Sequence, residues 1–367
     1  MRRFKKFSVI SISVLMSLTT MFSCSSSDDP EKVSFVKEEK IHELNKMKDL
    51  ISDNVEDFSS IDDIFNRYDN SINEAEAIKE ITSLYDSCTK EVYSLIPVKE
   101  EFDFTSLSEE EKTKLLDLVD SFILRNNLSG IYLSSSGTLN LNSTTYEQWE
   151  EFFGENGKKC QTQKKDYWDV KPFLSNKHFL KGLNLCLDKE LFKDEIGSGF
   201  IDYSKSEYFN YDLELSRKYF SVALDEIKDQ YHNFFRPAQL KLEIAFYSKE
   251  ERYETLFNKL KNCIETAFND QTVTGGKYVL EVQPWYGEVF SQIFPEKCYC
   301  GQFDLSYCSI SGSYPVPYER HKMLSTNPCI SRNLTLNWNF DTSNADKDSI
   351  VYDGYRYSYD TIVSALN

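Results

Sequence analysis

The chain has 367 residues, 14% of them aromatic and 28% charged, with a formal net charge of −17. A surface this acidic repels nucleic acid, whose binding rests on neutralising phosphates with Lys and Arg, and it disfavours direct adsorption to anionic membrane. The length allows two or three domains.

The first element in chain order is an export signal. Arg2, Arg3, Lys5 and Lys6 form a basic segment, residues 7–22 a Ser- and Thr-flecked apolar run, and Ser23-Cys24 closes it. About fifteen mostly apolar residues fall short of the roughly twenty that span a bilayer, so the run reads as secretory. An ordinary cleaved signal, or an uncleaved anchor, is the plainer alternative.

Met21-Phe22-Ser23-Cys24 resembles a bacterial lipoprotein signal, although Met21-Phe22 is bulkier than the commonest form. Ser25-Ser26-Ser27-Asp28-Asp29 is similar to the short acidic signal that sends Bacteroidota lipoproteins to the cell surface. The resemblance implies loss of residues 1–23, lipidation of Cys24 and residence at the outer membrane, with the membrane as a partner held through lipid. Acyl chains bind at about 0.8 kcal/mol per buried CH₂, so such an anchor is stable. The signal holds four basic and no acidic residues, so its removal takes the charge from −17 to about −21.

Residues 24–32 read as a polar tether, and 33–200 as mainly helical. Leu44, Met47, Leu50 and Ile51 recur at three- and four-residue steps, as do Ile78, Ile81, Leu84 and Tyr85, then Leu115, Leu118, Val119 and Phe122. Ser108 with Glu111 is a capping box for the third stripe. Residues 131–141 predict a hairpin turning at Ser135-Ser136-Gly137, and 145–153 and 178–191 predict helices.

Residues 201–283 read as an α/β unit. A strand over 208–215 leads through Ser216 as N-cap into a helix. Leu240, Leu242, Ile244 and Phe246 then alternate with Lys241, Glu243, Ala245 and Tyr247 as a second strand. Ser248 caps a helix to 269, and 278–283 is a third strand. The unit looks like a strand–Ser–helix repeat at an offset of about thirty-two residues.

Residues 284–367 are rich in Tyr and Cys and predict β structure. Residues 334–340 alternate as a strand, Asp353-Gly354 marks a tight hairpin, and Asp360 caps a terminal helix. Beyond Cys24 the cysteines are Cys88, Cys160, Cys186, Cys263, Cys298, Cys300, Cys308 and Cys329. An even number in an exported chain predicts disulfides: two bridges within the last four, then Cys160–Cys186 and Cys88–Cys263. The alternative of a zinc site lacks the paired Cys-x₂-Cys spacing. The expectation is therefore an α+β fold, with a helical N-terminal half, a central strand–helix repeat unit and a disulfide-stabilised β-rich C-terminal part.

No phosphate loop, metalloprotease motif or nucleophile elbow is present, and the four histidines are scattered. The acidic turn over 341–348 lacks the glycine and glutamate of a calcium loop, so neither metal nor cofactor is expected. Glu281 and Glu288 flank Pro284-Trp285-Tyr286-Gly287 and could serve as a glycosidase carboxylate pair; the plainer reading is an exposed strand residue and a helix-first-turn glutamate. Trp285 and Tyr286, with Tyr299, Tyr314 and Tyr318, suit a recognition surface for glycan or envelope protein, since aromatic rings pair a flat apolar body with a polar tip. Non-enzymatic recognition is the favoured reading, ahead of a hydrolase and a structural subunit of an envelope assembly.

Overall fold

The computed structural model describes residues 28–55, 58–126, 131–132, 137–141, 171–196, 210–231, 236–287, 303–309 and 350–365. Two compact units emerge: residues up to 49 with 59–92, and residues 50–58 with 93–367.

The first unit is helical. Helices α1 (Pro30–Ser52), α2 (Ser59–Glu74) and α3 (Ile78–Leu95) each bury one stripe. Val33, Val36, Leu44 and Met47 on α1, Ile61, Ile64, Phe65 and Ile72 on α2, and Ile78, Ile81, Cys88 and Val92 on α3 are all buried. Helix α1 begins inside the span read from sequence as tether. Asp28 accepts the Ile78 N–H at 2.9 Å at the start of α3, and Asp29 accepts the Glu31 N–H at 3.0 Å. Both aspartates thus satisfy amides that a helix start leaves without partners. Lys40 is buried, yet its ammonium meets Glu43 at 2.8 Å and lies 4.7 Å over the Tyr85 ring, which offsets its desolvation.

The second unit opens with α4 (Glu109–Asn126). The capping box forms as expected: Glu111 accepts the Ser108 N–H at 2.8 Å and its own N–H meets the Ser108 hydroxyl at 3.4 Å. Strands β1 (Ile131–Tyr132) and β2 (Gly137–Leu141) make the expected hairpin. Helices α5 (Lys177–Leu185) and α6 (Leu213–Ile227) follow, then β3 (Ala238–Phe246), α7 (Glu251–Phe268), β4 (Tyr278–Tyr286) and β5 (Leu305–Ser309). The sheet order is β1-β2-β5-β3-β4. β3 pairs in parallel with β4 and β5, and β5 pairs antiparallel with β2. One face of this mixed sheet supplies Leu240, Leu242, Ile244, Phe246, Leu280, Val282, Leu305 and Tyr307 to a core shared with α5, α6 and α7.

Helix α5 crosses α6 closely because Gly182 has no side chain. A Cβ there would stand 2.8 Å from the Phe220 ring, and the Ser216 hydroxyl donates to the Gly182 carbonyl at 2.7 Å. Strand β4 is an edge strand whose outer side is capped by α7 and the residue after it. Asn269 accepts the Leu280 N–H at 2.8 Å and donates to its carbonyl at 2.9 Å. Glu265 accepts the Val282 N–H at 2.8 Å, and Lys261 donates to the Val282 carbonyl at 3.0 Å. Side chains therefore occupy the backbone groups that would template another strand.

At the C-terminus, β6 (Ile350–Tyr352) and β7 (Tyr355–Tyr357) form the hairpin expected at Asp353-Gly354, both of whose φ angles are positive (48° and 77°). β7 is stitched to residues 96–99: the Arg356 N–H donates to the Pro97 carbonyl at 2.8 Å, and the Lys99 N–H to the Arg356 carbonyl at 3.0 Å. Helix α8 (Tyr359–Ala365) closes the described chain; Ser358 precedes it and accepts the Thr361 N–H at 3.0 Å, and the backbone of Asp360 lies inside the helix, not ahead of it.

The structure corrects the α+β expectation. Its described residues are mostly helical, and the mixed sheet of the second unit joins β1 and β2 to β5, β3 and β4. The repeat unit fails at its first copy. Asp212 caps α6 by accepting the Leu215 N–H at 2.9 Å, so 213–215 are helix, and Ser216 lies inside the helix. Among the described residues a β-rich, disulfide-stabilised end is not found either: β5 joins the central sheet, and those that follow are one hairpin and a helix. Cys88, Cys186 and Cys263 are free thiols, Cys88 and Cys186 buried in the cores like small apolar residues. Cys308 lies on β5 opposite Thr138; Cys24, Cys160, Cys298, Cys300 and Cys329 lie outside the described residues.

Candidate functional site

Parallel strands β3 and β4 end together, Phe246 in register with Tyr286. The C-terminal ends of such strands are where open α/β sheets gather ligands. Side chains alternate along a strand, so this end presents two different faces.

The helix-covered face carries an aromatic cluster. Phe246 stacks on Tyr286 and Tyr307 at centroid distances of 5.5 and 5.8 Å, and Tyr253 of α7 meets Tyr307 at 5.6 Å. The Arg252 guanidinium covers Tyr253 from outside at 4.4 Å. Burial, then the nearby Glu254 carboxylate, raises the Tyr286 phenol above its ordinary range, so it is a neutral donor at physiological pH.

The other face carries charged and amide side chains along its middle and an aromatic ring where it ends. Lys241 stands in register with Glu281, Glu243 with Gln283, and Ala245 with Trp285. Half-buried Trp285 packs on buried Ala245 and Phe303. Asp304 fixes this corner. It precedes β5, and its carboxylate accepts the Glu243 N–H at 2.8 Å, extending the ladder one residue before Leu305 pairs with Ile244. The Lys171 ammonium binds the same carboxylate at 2.5 Å and the Lys241 carbonyl at 2.7 Å. Asp304 and Lys171 therefore hold the strands, while Lys241, Glu281, Gln283 and Trp285 form the row that reaches outward.

The expected Trp285–Tyr286 pair is thus divided by the strand that carries it: Trp285 belongs to the polar face and Tyr286 to the core. Glu281 is exposed beside Lys241. Glu288, Tyr299, Tyr314 and Tyr318 lie outside the described residues. Among the described residues, no group of three or more His, Cys, Asp or Glu is placed to hold a metal ion, and no helix is long and apolar enough to cross a membrane. Phe303, Asp304 and Lys171 escaped the sequence reading. The alternation of Leu305 and Tyr307 with Ser306 and Cys308 was the signal for β5; nothing local places Phe303 on the opposite face from Leu305 or marks Lys171 as the partner of Asp304.

No family model matches the chain, and neither does any curated protein. Among solved structures it overlaps peptide-bound OppA of Listeria monocytogenes with 16% identity and a TM-score of 0.38, over 64% of this chain and 40% of that one. It overlaps the substrate-binding domain of an oligopeptide ABC transporter from Bacillus anthracis with 14% identity and a TM-score of 0.34, over 68% and 44%. The unliganded open form of MppA, a periplasmic murein tripeptide binding protein, gives 14% and 0.34, over 76% and 46%. The chain spans less than half the length of each. Overlaps this shallow leave its function to its own residues.

Proposed function

We propose that the chain is an exported, lipid-anchored recognition module, held at the outer membrane through Cys24, that binds a glycan or peptide on the polar face at the ends of β3 and β4. The observation that carries this reading is the seat of Trp285: an aromatic ring backed by Ala245 and Phe303, beside a row of charged and amide side chains on paired strands. An aromatic platform with polar groups to one side suits a sugar ring or an extended peptide, and a sheet holds its groups more rigidly than a loop does. The basic segment, apolar run and Cys24 support the anchor.

The test is a glycan and peptide array with the full chain, followed by titration of whatever binds. Trp285→Ala should weaken binding by about 2 kcal/mol, roughly thirtyfold, as expected for a central aromatic anchor. A ligand bound equally well by Trp285→Ala, or by a chain altered at Lys241 and Gln283, removes this face from the account. Cys24→Ala should release the protein from the membrane fraction; retention there refutes the lipid anchor.

A further inference from the structure

The face that carries Trp285 continues across the sheet. Ser306 on β5 stands in register with Ala245 on β3, which stands in register with Trp285 on β4. Leu305 and Tyr307, on either side of Ser306, enter the helix-covered core. By the alternation of a strand, the Ser306 side chain therefore projects to the side of Ala245 and Trp285. Ser306 is fully buried, and among the described residues its hydroxyl, the one polar atom of the side chain, has no hydrogen-bond partner. A buried hydroxyl in this state costs free energy that an alanine would not, and it is available to a ligand. Ala245 contributes only a methyl group to the strand between Ser306 and Trp285.

We propose that Ser306 is a ligand-binding residue of the Trp285 site and that the ligand is a neutral glycan, with one sugar ring on Trp285 and a hydroxyl meeting Ser306. This deepens the recognition reading above and rests on it. A serine hydroxyl donates and accepts without charge, as a sugar hydroxyl does. Ala245 and Phe303 beside it offer no counter-charge to an ionic group, and Asp304 and Lys171 neutralise each other. The backbone disfavours an extended peptide, which would add to a sheet edge through main-chain hydrogen bonds. On β4 the outward groups of Leu280 and Val282 are taken by Asn269, Glu265 and Lys261, and Pro284 has no N–H. On β3 Asp304 holds the Glu243 N–H and Lys171 the Lys241 carbonyl. A ligand is therefore read by side chains above the face. Because Ser306 has no exposure in the free chain, binding has to displace what covers it.

The experiment is calorimetric titration of the full chain with two panels: tetrasaccharides of glucose, mannose, galactose or N-acetylglucosamine, and tetrapeptides with uncharged side chains. Wild type, Trp285→Ala, Ser306→Ala and Ser306→Cys are compared, and the thermal midpoint of each is recorded. The expected result is a tetrasaccharide whose binding needs Trp285 and falls about fivefold in both Ser306 variants, since a thiol is a weak donor and alanine none. Ser306→Ala should melt no lower than wild type, because its hydroxyl has no partner to lose. Tetrasaccharide binding that Trp285→Ala weakens and the Ser306 variants leave intact overturns the proposal and spares the reading beneath it. Trp285-dependent binding of tetrapeptides alone does the same. Binding indifferent to Trp285→Ala, or none in either panel, overturns both. A lowered midpoint in Ser306→Ala means that the hydroxyl already bonds within the fold, and that too overturns the proposal.

Discussion

Asp304 is the most informative residue to perturb, because one carboxylate both completes a strand ladder and receives a cation. Replacement by Ala strips the Glu243 N–H of this acceptor, which costs about 1–3 kcal/mol in a partly buried setting. It also removes the Lys171 pair. Since the Lys171 side chain is 39% exposed, that contribution is discounted to about 1 kcal/mol. Asp304→Ala should therefore lose about 3 kcal/mol. Asp304→Asn keeps a carbonyl oxygen for the amide and gives up only the charge, so it should lose about 1 kcal/mol. Urea unfolding followed by circular dichroism reads both as midpoint shifts at constant m. The near-ultraviolet signal should change more in the Ala variant, as Phe303 loosens beneath Trp285. Equal losses in the two variants would refute the reasoning, because they would show that the carboxylate does not hold the backbone amide.

Two further outcomes follow from the packing and the charges. Gly182→Ala puts a Cβ 2.8 Å from a Phe220 ring that is itself confined by Phe179 and Phe268 at 5.2 and 5.3 Å. The clash costs about 1–3 kcal/mol and the better helix former returns at most about 1, leaving a net loss that Phe220→Leu should partly rescue in a double-mutant cycle; a neutral Gly182→Ala contradicts the close crossing. Burial pulls the Lys189 amine down from 10.5 to about 7. Between those values the unfolded chain binds the extra proton, so the penalty is complete below pH 7 and fades as pH rises toward 10.5. Lys189→Met should thus be more stable than wild type at pH 6 and lose that advantage by pH 10; a gain independent of pH means the amine is solvated.

The parts of the fold legible in sequence are those set by neighbours in the chain. The capping box at Ser108 and Glu111 and the Asp353-Gly354 turn form because a few adjacent residues satisfy each other's backbone groups. The alternation of β3 survives because burial on one face enforces it. Ser216 misled because serine serves a helix equally well as a cap or as a small interior residue. Only the approach of Gly182, from another helix, decides that its hydroxyl bonds across rather than along the chain. Cysteine pairing failed for the same reason: spacing is blind to which sulfurs a core buries, and Cys88, Cys186 and Cys263, each given a partner from spacing, are free thiols.

The candidate site turned on one proline. The sequence reading ended β4 at Gln283, one residue before Pro284, and proline cannot donate to a ladder. The strand runs on to Tyr286. Leu280 and Val282 direct their N–H groups away from β3, toward Asn269 and Glu265, and by the period of two Pro284 does the same. Its missing N–H therefore falls on the outer edge, where no ladder bond is lost and proline is tolerated. Three more residues of strand then settle the rest. Trp285 and Tyr286 cannot share a surface as they would in a loop, and the platform behind Trp285 has to come from Ala245 on the neighbouring strand and from Phe303, just ahead of β5.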